Sequence, residues 1–186
     1  MARLIYSANA SLDGFIEDRD GDFGFSAPDE EVHAHINDVF RDCGLFIHGR
    51  RVYELMTYWE SYPDDDSVPA VTADWGRIWR GARKLVYSRT LAEPQSANTS
   101  IEREFDAAAL RARIDAGGAD ASIGGAQLGG LALAAGIVDE LVLHSAPIVL
   151  GGGKPWLPAG VAADLELLDH RAFGSGVVYS RYAVKR

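Results

Sequence analysis

Short apolar runs in this chain repeatedly end in glycine, serine or arginine, and this pattern limits the folds open to it. The runs at residues 45–48, 84–87 and 121–123 lead, in that order, into Gly49-Arg50-Arg51, Ser88-Arg89 and Gly124-Gly125-Ala126-Gln127. Glycine, arginine, a hydroxyl group and a helix N-terminus are each suited to a phosphate group. Three such junctions at successive strand ends predict a nucleotide lying across the edge of an α/β sheet.

Runs with strand character alternate with amphipathic stretches as far as about residue 136. A first helix is predicted after Ser26-Ala27-Pro28-Asp29, with Ser26 as the capping residue, and it ends at Gly44. Further helices are predicted at 50–56, 74–81 and 127–135. Another is predicted directly after Asp106, which caps it, and is closed by Gly117-Gly118. Strands are predicted at 3–10, 45–48, 84–87, 98–104, 121–123 and 138–150, the last interrupted at Pro147, with two more in 164–186 around Gly174-Ser175-Gly176. This favours an α/β fold with a mostly parallel central sheet and an antiparallel C-terminal hairpin, in a single domain over residues 1–186.

The charge balance argues against nucleic acid as a partner. The 186 residues carry 27 Asp and Glu against 18 Lys and Arg, a formal net charge of −9, whereas nucleic-acid-binding domains present a basic face. An acidic chain can hold a phosphorylated ligand only where arginines are locally concentrated. Arg50, Arg51 and Arg89 provide such places.

Other classes of site and location are also disfavoured. Cys43 is the single cysteine, which excludes an internal disulfide, and its apolar neighbours predict a buried, inert thiol. The N-terminal residues lack the apolar core of a signal peptide, and no uninterrupted apolar stretch is long enough for a membrane span. We therefore expect a cytoplasmic protein with no membrane partner. His33 and His35 lie two apart on a predicted helix and face different directions, so no metal site is expected.

Gly49-Arg50-Arg51 is the first candidate phosphate site. Backbone amides at the start of the following helix point outwards and the helix dipole favours an anion, while an arginine fork matches a phosphate bidentately. The 2′-phosphate that distinguishes NADPH from NADH is the expected ligand. An exposed arginine pair on a solvated helix explains these residues equally well.

The next two junctions add to this prediction. Ser88 can hydrogen-bond a phosphate or ribose, and Arg89 can stack on adenine or pair with phosphate, although an ordinary polar strand end would look the same. Gly124 and Gly125 would let a pyrophosphate approach the backbone without meeting a Cβ atom, and a plain glycine turn is the alternative. No G-x-G-x-x-G occurs, so the Rossmann fingerprint is absent.

Asp13 is the candidate catalytic residue. It lies where the first strand exits, beside Gly14. A carboxyl group at this place could hydrogen-bond a substrate or hold the following loop. An aspartate that merely forms a turn is at least as good an explanation.

Together these motifs resemble the dihydrofolate reductase superfamily, and within it the branch containing the reductase domain of the bifunctional riboflavin-biosynthesis deaminase/reductase. The segments that carry the resemblance, over essentially the whole chain, are Ser11-Leu12-Asp13-Gly14-Phe15-Ile16, Gly49-Arg50-Arg51-Val52-Tyr53-Glu54, Ser88-Arg89, Gly124-Gly125 and Pro147-Ile148-Val149-Leu150-Gly151-Gly152-Gly153. The resemblance implies a dihydrofolate reductase-like three-layer α/β/α fold, with an eight-stranded sheet and NADPH across its carboxyl edge.

The resemblance also implies a role for each junction. Ala8 and Ile16 would hold the nicotinamide carboxamide. Gly49, Arg50 and Arg51 would bind the 2′-phosphate and ribose side. Ser88 and Arg89 would lie near the adenine. The pyrophosphate would be taken by Gly124, Gly125, Ala126 and Gln127.

The sequence departs both from folate reductases and from the bifunctional riboflavin enzyme. Its first predicted helix has no acid that can be assigned to the pterin position, and the deaminase signature H-x-E with P-C-x-x-C does not occur. We expect an NADPH-dependent oxidoreductase that transfers a hydride to a small heterocyclic or ribosylaminopyrimidine-like acceptor, as in riboflavin biosynthesis, with dihydrofolate a poorer fit. A non-catalytic protein that binds NADP(H) or a small ligand is the alternative. The apolar C-terminal strands suggest a homodimer, although packing within one chain explains them as well.

Overall fold

The computed structural model describes residues 2–185, so what was predicted for residues 1 and 186 lies outside it. Strands β1 to β10 are, in order, Leu4–Ser11, Phe15–Glu17, Leu45–Gly49, Arg83–Tyr87, Thr99–Glu102, Ala121–Gly124, Glu140–Ala146, Lys154–Pro155, Leu165–Ala172 and Val178–Val184. Helices α1 to α5 are Glu30–Phe40, Arg50–Met56, Ala70–Gly81, Ala107–Gly117 and Ala126–Ala134. Single 3-10 turns cover Gly24–Ser26 and Thr57–Glu60.

Eight of these strands form one sheet, in the order β5-β4-β3-β6-β1-β7-β10-β9, and β2 pairs with β8. β1 runs parallel to β7, and β3, β4 and β5 are mutually parallel. β10 runs antiparallel to both β7 and β9. The predicted α/β class, with a mostly parallel sheet and an antiparallel C-terminal hairpin, is confirmed.

The described residues group into two compact units. Unit 1 contains residues 30–122 together with Ala2, and unit 2 contains residues 3–29 and 123–185. The single domain expected from the sequence stays a prediction. Between residues 2 and 185, no helix combines the length and the apolar character needed to cross a bilayer.

Unit 1 is built around aromatic side chains on β3 and α3. Trp79 is fully buried, and its ring stacks on that of Phe46 with centroids 6.2 Å apart. Trp75 is buried in the same core, and the predicted burial of Cys43 is confirmed. The predicted caps of α4 are also present, because Asp106 accepts a hydrogen bond from the Ala109 amide (3.0 Å) and Gly118 adopts φ 71°.

Unit 2 depends on the close approach of α5 to β1. A Cβ atom added to Gly129 would lie 2.1 Å from the ring of Tyr6, so only glycine fits against this tyrosine. The Tyr6 hydroxyl donates a hydrogen bond to the carbonyl oxygen of Trp156, and the two rings lie 5.4 Å apart. The small residues of α5 thus permit a helix to pack directly on the sheet.

Several predicted boundaries are wrong. Ser26 does not cap α1, since its hydroxyl donates to the Phe23 carbonyl (2.8 Å) inside a 3-10 turn and α1 begins only at Glu30. α3 starts at Ala70 rather than at residue 74. β7 is shorter than predicted: it ends at Ala146, where the interruption at Pro147 was expected because proline has no amide hydrogen for the ladder, and no strand resumes over 148–150.

Candidate functional site

In unit 1, the ends of two parallel strands bring the first two arginine-bearing junctions side by side. β3 and β4 are paired in a register that places Gly49 opposite Tyr87. The residues that follow, Arg50 on one strand and Ser88 on the other, therefore leave the sheet at neighbouring positions. This part of the predicted arrangement is observed.

Arg50 is already engaged by polar groups of the protein. Its Nε donates to Glu54 (2.7 Å), one turn along α2, and its Nη1 donates to the hydroxyl of Thr90 (2.8 Å). Arg50 thereby connects the start of α2 to the loop after β4. Any phosphate that used this guanidinium would have to share it with the Glu54 carboxylate.

Ser88 shapes the turn that follows β4. Its side chain is buried, and its oxygen accepts hydrogen bonds from the amides of Thr90 (3.3 Å) and Leu91 (3.0 Å). Arg103 donates to the Ser88 carbonyl at 2.9 Å and so holds the same turn from the other side. This arrangement leaves Arg89 exposed at the tip of the turn.

Arg89 differs from Arg50 in its electrostatic environment. Among residues 2–185 its side chain forms neither a hydrogen bond nor an ion pair. A guanidinium that has no carboxylate partner keeps all of its donors available to an anion. At the end of the neighbouring strand β3, the space beside Gly49 is open, because a Cβ atom added to this residue would meet nothing within 4 Å.

His48 lies directly before this junction, on the buried side of β3. Its ring stacks against those of Phe46 and Trp79, with centroids 6.3 and 5.9 Å away, and neither ring nitrogen has a hydrogen-bond partner among the described residues. Burial lowers the pKa of His48 to about 4, so the ring is neutral near pH 7. It serves as an aromatic core residue beneath the strand end.

In unit 2, β6 leads through two glycines into α5, as the sequence predicts. Gly125 adopts φ 93° at the N-cap position, and α5 starts at Ala126. This conformation is one that side-chain-bearing residues rarely adopt. Gln127 is exposed, whereas Gly124 and Ala126 are half-buried. No side chain of the described residues caps this nine-residue helix, so the amides of its first turn lack an intrahelical or side-chain cap partner.

Asp13 connects the exit of β1 to the glycine-rich segment at 151–153. Its carboxylate accepts hydrogen bonds from the amides of Leu150 (3.1 Å) and Gly151 (2.8 Å). The hydroxyl of Ser11 donates to the same carboxylate at 2.6 Å, and these hydrogen bonds, with the Ser11 contact the largest contribution, lower the pKa of Asp13. Of the roles that the sequence left open for Asp13, the structure shows contacts with a loop, at residues 150 and 151.

The two residues expected near the nicotinamide lie on adjoining segments of unit 2. Ala8 is in the middle of β1, opposite Leu143 of β7, and Ile16 is in the short strand β2. Both are half-buried. Their predicted contact with a carboxamide stays a prediction.

Sequence reasoning missed the partners that fix these residues. Glu54 lies four positions after Arg50, the spacing of a helical ion pair, and this signal was available. Thr90 and Ser11 carried no comparable signal, because their contacts depend on how turns close. Arg19, which donates to the Gly151 carbonyl at 2.9 Å, reaches across 132 positions of sequence.

No metal centre is formed by the residues that the structure describes. Between residues 2 and 185, no group of three or more His, Cys, Asp or Glu side chains is arranged to hold a metal ion. The ring of His33 instead packs near those of Trp59 and Trp75, with centroids 6.0 and 6.4 Å away.

Comparison with known proteins links this geometry to a family. Residues 121–179, which include β6, α5 and β7, match the family model of the RibD C-terminal domain. A solved structure from Shewanella sp. PV-4, provisionally named for riboflavin biosynthesis, superposes with a TM-score of 0.77 at 21% identity and covers 100% of both chains. The chain has the RibD C-terminal fold. The fold that the resemblance to the riboflavin reductase branch implies is confirmed.

Two further proteins resemble this chain over different shares of their own length. The deaminase/5-amino-6-(5-phosphoribosylamino)uracil reductase of Thermotoga maritima aligns with a TM-score of 0.68 at 10% identity, over 99% of this chain and 57% of that protein. The uncharacterized protein YyaP of Bacillus subtilis is 27% identical over 181 residues, 97% of this chain and 94% of its own length. The chain thus matches little more than half of the bifunctional protein but almost all of YyaP.

Proposed function

We propose that this protein is an NADPH-dependent reductase that transfers a hydride to a small heterocyclic or ribosylaminopyrimidine-like acceptor. The RibD-type fold supports a reductase of this kind. An acceptor related to 5-amino-6-(5-phosphoribosylamino)uracil is suggested by the name of the Thermotoga maritima protein. Dihydrofolate fits less well, because no acid of the first helix can be assigned to the position that binds the pterin ring in folate reductases.

The observation that carries the proposal is Arg89. Its guanidinium is exposed, has no acidic partner among the described residues, and follows a strand whose neighbour ends in Gly49-Arg50-Arg51. In a chain of net charge −9, a locally cationic strand end is where a phosphorylated ligand can be held. Arg89 and its neighbours fit the phosphorylated end of NADPH in charge and in hydrogen-bond donors.

The resemblance assigns a separate set of cofactor-binding residues to each unit. In unit 1, Gly49, Arg50, Arg51, Ser88 and Arg89 would bind the 2′-phosphate, ribose and adenine. In unit 2, the pyrophosphate would meet Gly124, Gly125, Ala126 and Gln127, and the nicotinamide would meet Ala8 and Ile16. When bound, NADPH supplies the hydride, and the protein supplies alignment and exclusion of water.

Asp13 acts in this proposal through the loop that it holds. A carboxylate that accepts hydrogen bonds from two amides and a hydroxyl group, and whose pKa is lowered, stays ionised near pH 7. It is therefore suited to fixing residues 150 and 151 beside β1. A direct part in proton transfer would require a substrate to displace one of these donors.

Turnover tests the proposal. NADPH oxidation is followed spectrophotometrically with ribosylaminopyrimidines and with dihydrofolate as acceptors, for the wild type and for Arg89→Ala. We expect oxidation that depends on the ribosylaminopyrimidine, with a KM for NADPH raised about tenfold or more in the variant. Arg83→Ala is the matched control, because Arg83 is an exposed arginine at the opposite end of the same strand. Bound NADPH without oxidation of any acceptor would leave a non-catalytic binding protein.

A further inference from the structure

Lys84, in the strand that leads to Arg89, is a lysine whose side chain has no exposed surface. Its ammonium group lies over the ring of Trp79, with 4.9 Å between Nζ and the ring centroid, and 3.9 Å from a carboxylate oxygen of Glu60. Lysine is rarely buried completely, because its charge loses its hydration. The groups that meet this ammonium therefore indicate what its charge does.

The charges of Lys84 and Glu60 hold the two backbone polar groups of one residue, Ala97. Lys84 Nζ donates to the Ala97 carbonyl oxygen (3.1 Å), and Glu60 Oε1 accepts from the Ala97 amide (3.0 Å). Thr99 adds a second donor to the same carbonyl at 3.0 Å. Ala97 itself is exposed, so these side chains, and not burial, fix its backbone.

Tyr53 holds the two residues before Ala97. Its side chain is fully buried, and its hydroxyl oxygen accepts a hydrogen bond from the Gln95 amide (2.8 Å) and lies 3.0 Å from Ser96 Oγ. Tyr53 belongs to α2, the helix that begins at Arg50. The helix of one arginine-bearing junction thus anchors the far end of the loop that carries the other.

The start of β5 depends on this anchored turn. Residues 92–95, between the anchor and Arg89, are exposed. β5 begins directly after Asn98, has four residues and lies at the end of the sheet order, so it is paired on one side only. Asn98 adopts φ 54°, and its carbonyl oxygen accepts from the Lys84 amide at 2.8 Å. A short edge strand that follows such a turn takes its position from the turn.

β5 in turn holds the segment that carries Arg89. Arg103 follows Glu102, the last residue of β5, and its Nη1 donates to the carbonyl oxygens of Ser88 (2.9 Å) and Leu91 (2.7 Å). The Ser88 amide donates to the Glu102 carbonyl oxygen at 2.9 Å. A shift of β5 along β4 would therefore withdraw the donor that closes the turn around Arg89.

Stability alone explains Lys84 and Glu60 poorly. Replacing a buried ion pair by apolar side chains is often neutral or stabilising, because the attraction between the charges must first offset their lost hydration. What this pair provides is direction, since a donor and an acceptor hold Ala97 from two sides. The position of the turn, more than the free energy of unfolding, is what these charges determine.

We propose that Tyr53 and Lys84 are positioning residues for the phosphorylated end of NADPH, which act through the loop and strand at 88–103. The inference rests on the proposed function, because it takes Arg89 as the group that meets the cofactor. Both side chains are buried in unit 1, so they influence the cofactor only through the residues that they hold. Loss of either group should weaken NADPH binding more than NADH binding.

A double-mutant cycle with Arg89 tests this proposal. Dissociation constants of NADPH and NADH would be measured by fluorescence titration for Tyr53→Phe, for Lys84→Met, and for each combined with Arg89→Ala. The constant for NADPH should rise about threefold or more in each single variant. Either substitution should add little once Arg89 is alanine, because both act through that residue. A lesion that only lowered the folded fraction would affect both nucleotides equally, and thermal melts measure that fraction.

Tyr62→Phe is the matched control. It removes another phenolic hydroxyl of unit 1, which contacts Thr72 Oγ1 at 3.0 Å and not the loop after β4. Its affinities for NADPH and NADH should equal those of the wild type.

Hydrogen exchange distinguishes a failure of this inference from a failure of the proposed function. The amides of Thr90 and Leu91, which donate to Ser88 Oγ, should exchange faster in Tyr53→Phe and Lys84→Met than in the wild type, with or without NADPH. Unchanged exchange there, unchanged NADPH affinity, or additive effects with Arg89→Ala would overturn this inference alone. A wild type that binds neither nucleotide would overturn the proposed function as well.

Discussion

The carboxylate of Asp13 accepts a hydrogen bond from the backbone amide of Gly151, 2.8 Å away across 138 positions of sequence. The contact joins the exit of β1 to the loop that contains Gly151-Gly152-Gly153. Arg19 adds a second connection to the same residue through the Gly151 carbonyl. The Asp13 carboxylate thus holds the amide of Gly151, and the Arg19 guanidinium holds its carbonyl.

Removing the Asp13 carboxylate should loosen this loop without unfolding the protein. In Asp13→Ala, the amides of Leu150 and Gly151 lose their acceptor, and their hydrogen exchange should become faster. Amides of β7 should keep their protection. Unchanged exchange at both loop amides would show that the carboxylate does not hold them.

The same contact should depend on pH in a defined direction. Because the folded-state pKa of Asp13 is lowered, its stabilising contribution is present above the ordinary pKa of an aspartate and is lost as pH falls through the lowered value. Gly151 protection, corrected for intrinsic exchange, should therefore be constant near neutrality and decrease only in acid. A decrease that begins near pH 7 would contradict the assignment.

Gly153 should tolerate no side chain. It adopts φ 137°, and an added Cβ atom would lie 2.0 Å from the carbonyl oxygen of Glu17. We expect Gly153→Ala to lower the free energy of unfolding by more than about 3 kcal/mol. Gly151→Ala is the control, because its positive φ costs only about 1 kcal/mol and its Cβ would meet nothing within 4 Å. Equal losses in denaturant melts would refute the steric argument.

His48 should make the fold sensitive to mild acid. Its pKa is about 4 when folded and near 6.5 when unfolded, so the unfolded chain takes up the proton first. Its contribution to stability is full above about pH 6.5 and falls by up to about 3 kcal/mol as pH drops toward 4. In His48→Phe, the free energy of unfolding should change less with pH between about 6.5 and 4 than in the wild type. Above pH 7 the two proteins should show the same pH dependence. Identical slopes below pH 6.5 would contradict the prediction.

Glu54 should weaken cofactor binding by competing for Arg50. Neutralising it in Glu54→Gln removes a carboxylate 2.7 Å from the guanidinium, and the affinity for NADPH should rise by up to about fivefold. The affinity for NADH, which lacks the 2′-phosphate, should change less. Glu93→Gln is the matched control for net charge. A loss of NADPH affinity would instead show that Glu54 positions Arg50 for binding.

The sequence predicted the regular elements well wherever one signal was sufficient. α2 was placed at its observed bounds because Gly49 and the following residues mark its start, and α4 because Asp106 and Gly117-Gly118 frame it. The strand-end positions of Gly49, Ser88 and Gly125 followed from the same alternation. Local chemistry was enough to fix these features.

Contacts between distant segments were beyond such reasoning. The clamp between Asp13 and Gly151, the pairing of β2 with β8, and the packing of Tyr6 on Gly129 each depend on how far-separated segments meet. The predicted cap at Ser26 was wrong. A serine before an acidic run resembles a helix cap, but the Ser26 hydroxyl donates its hydrogen bond inside a 3-10 turn. β9 also contains a bulge at Leu168, because Arg181 of β10 is paired with Asp169 and Tyr182 with Leu167, and no local pattern in the sequence marks it.

Equilibrium titration with NADPH and with NADH tests the central claim most directly. Fluorescence of the wild type and of the Arg50→Ala, Arg51→Ala double variant would be measured against both nucleotides. We predict that the wild type binds NADPH at least tenfold more tightly than NADH, and that the double variant loses most of this preference. Failure of the wild type to bind either nucleotide would contradict the account, and leave a RibD-type fold without a nicotinamide cofactor.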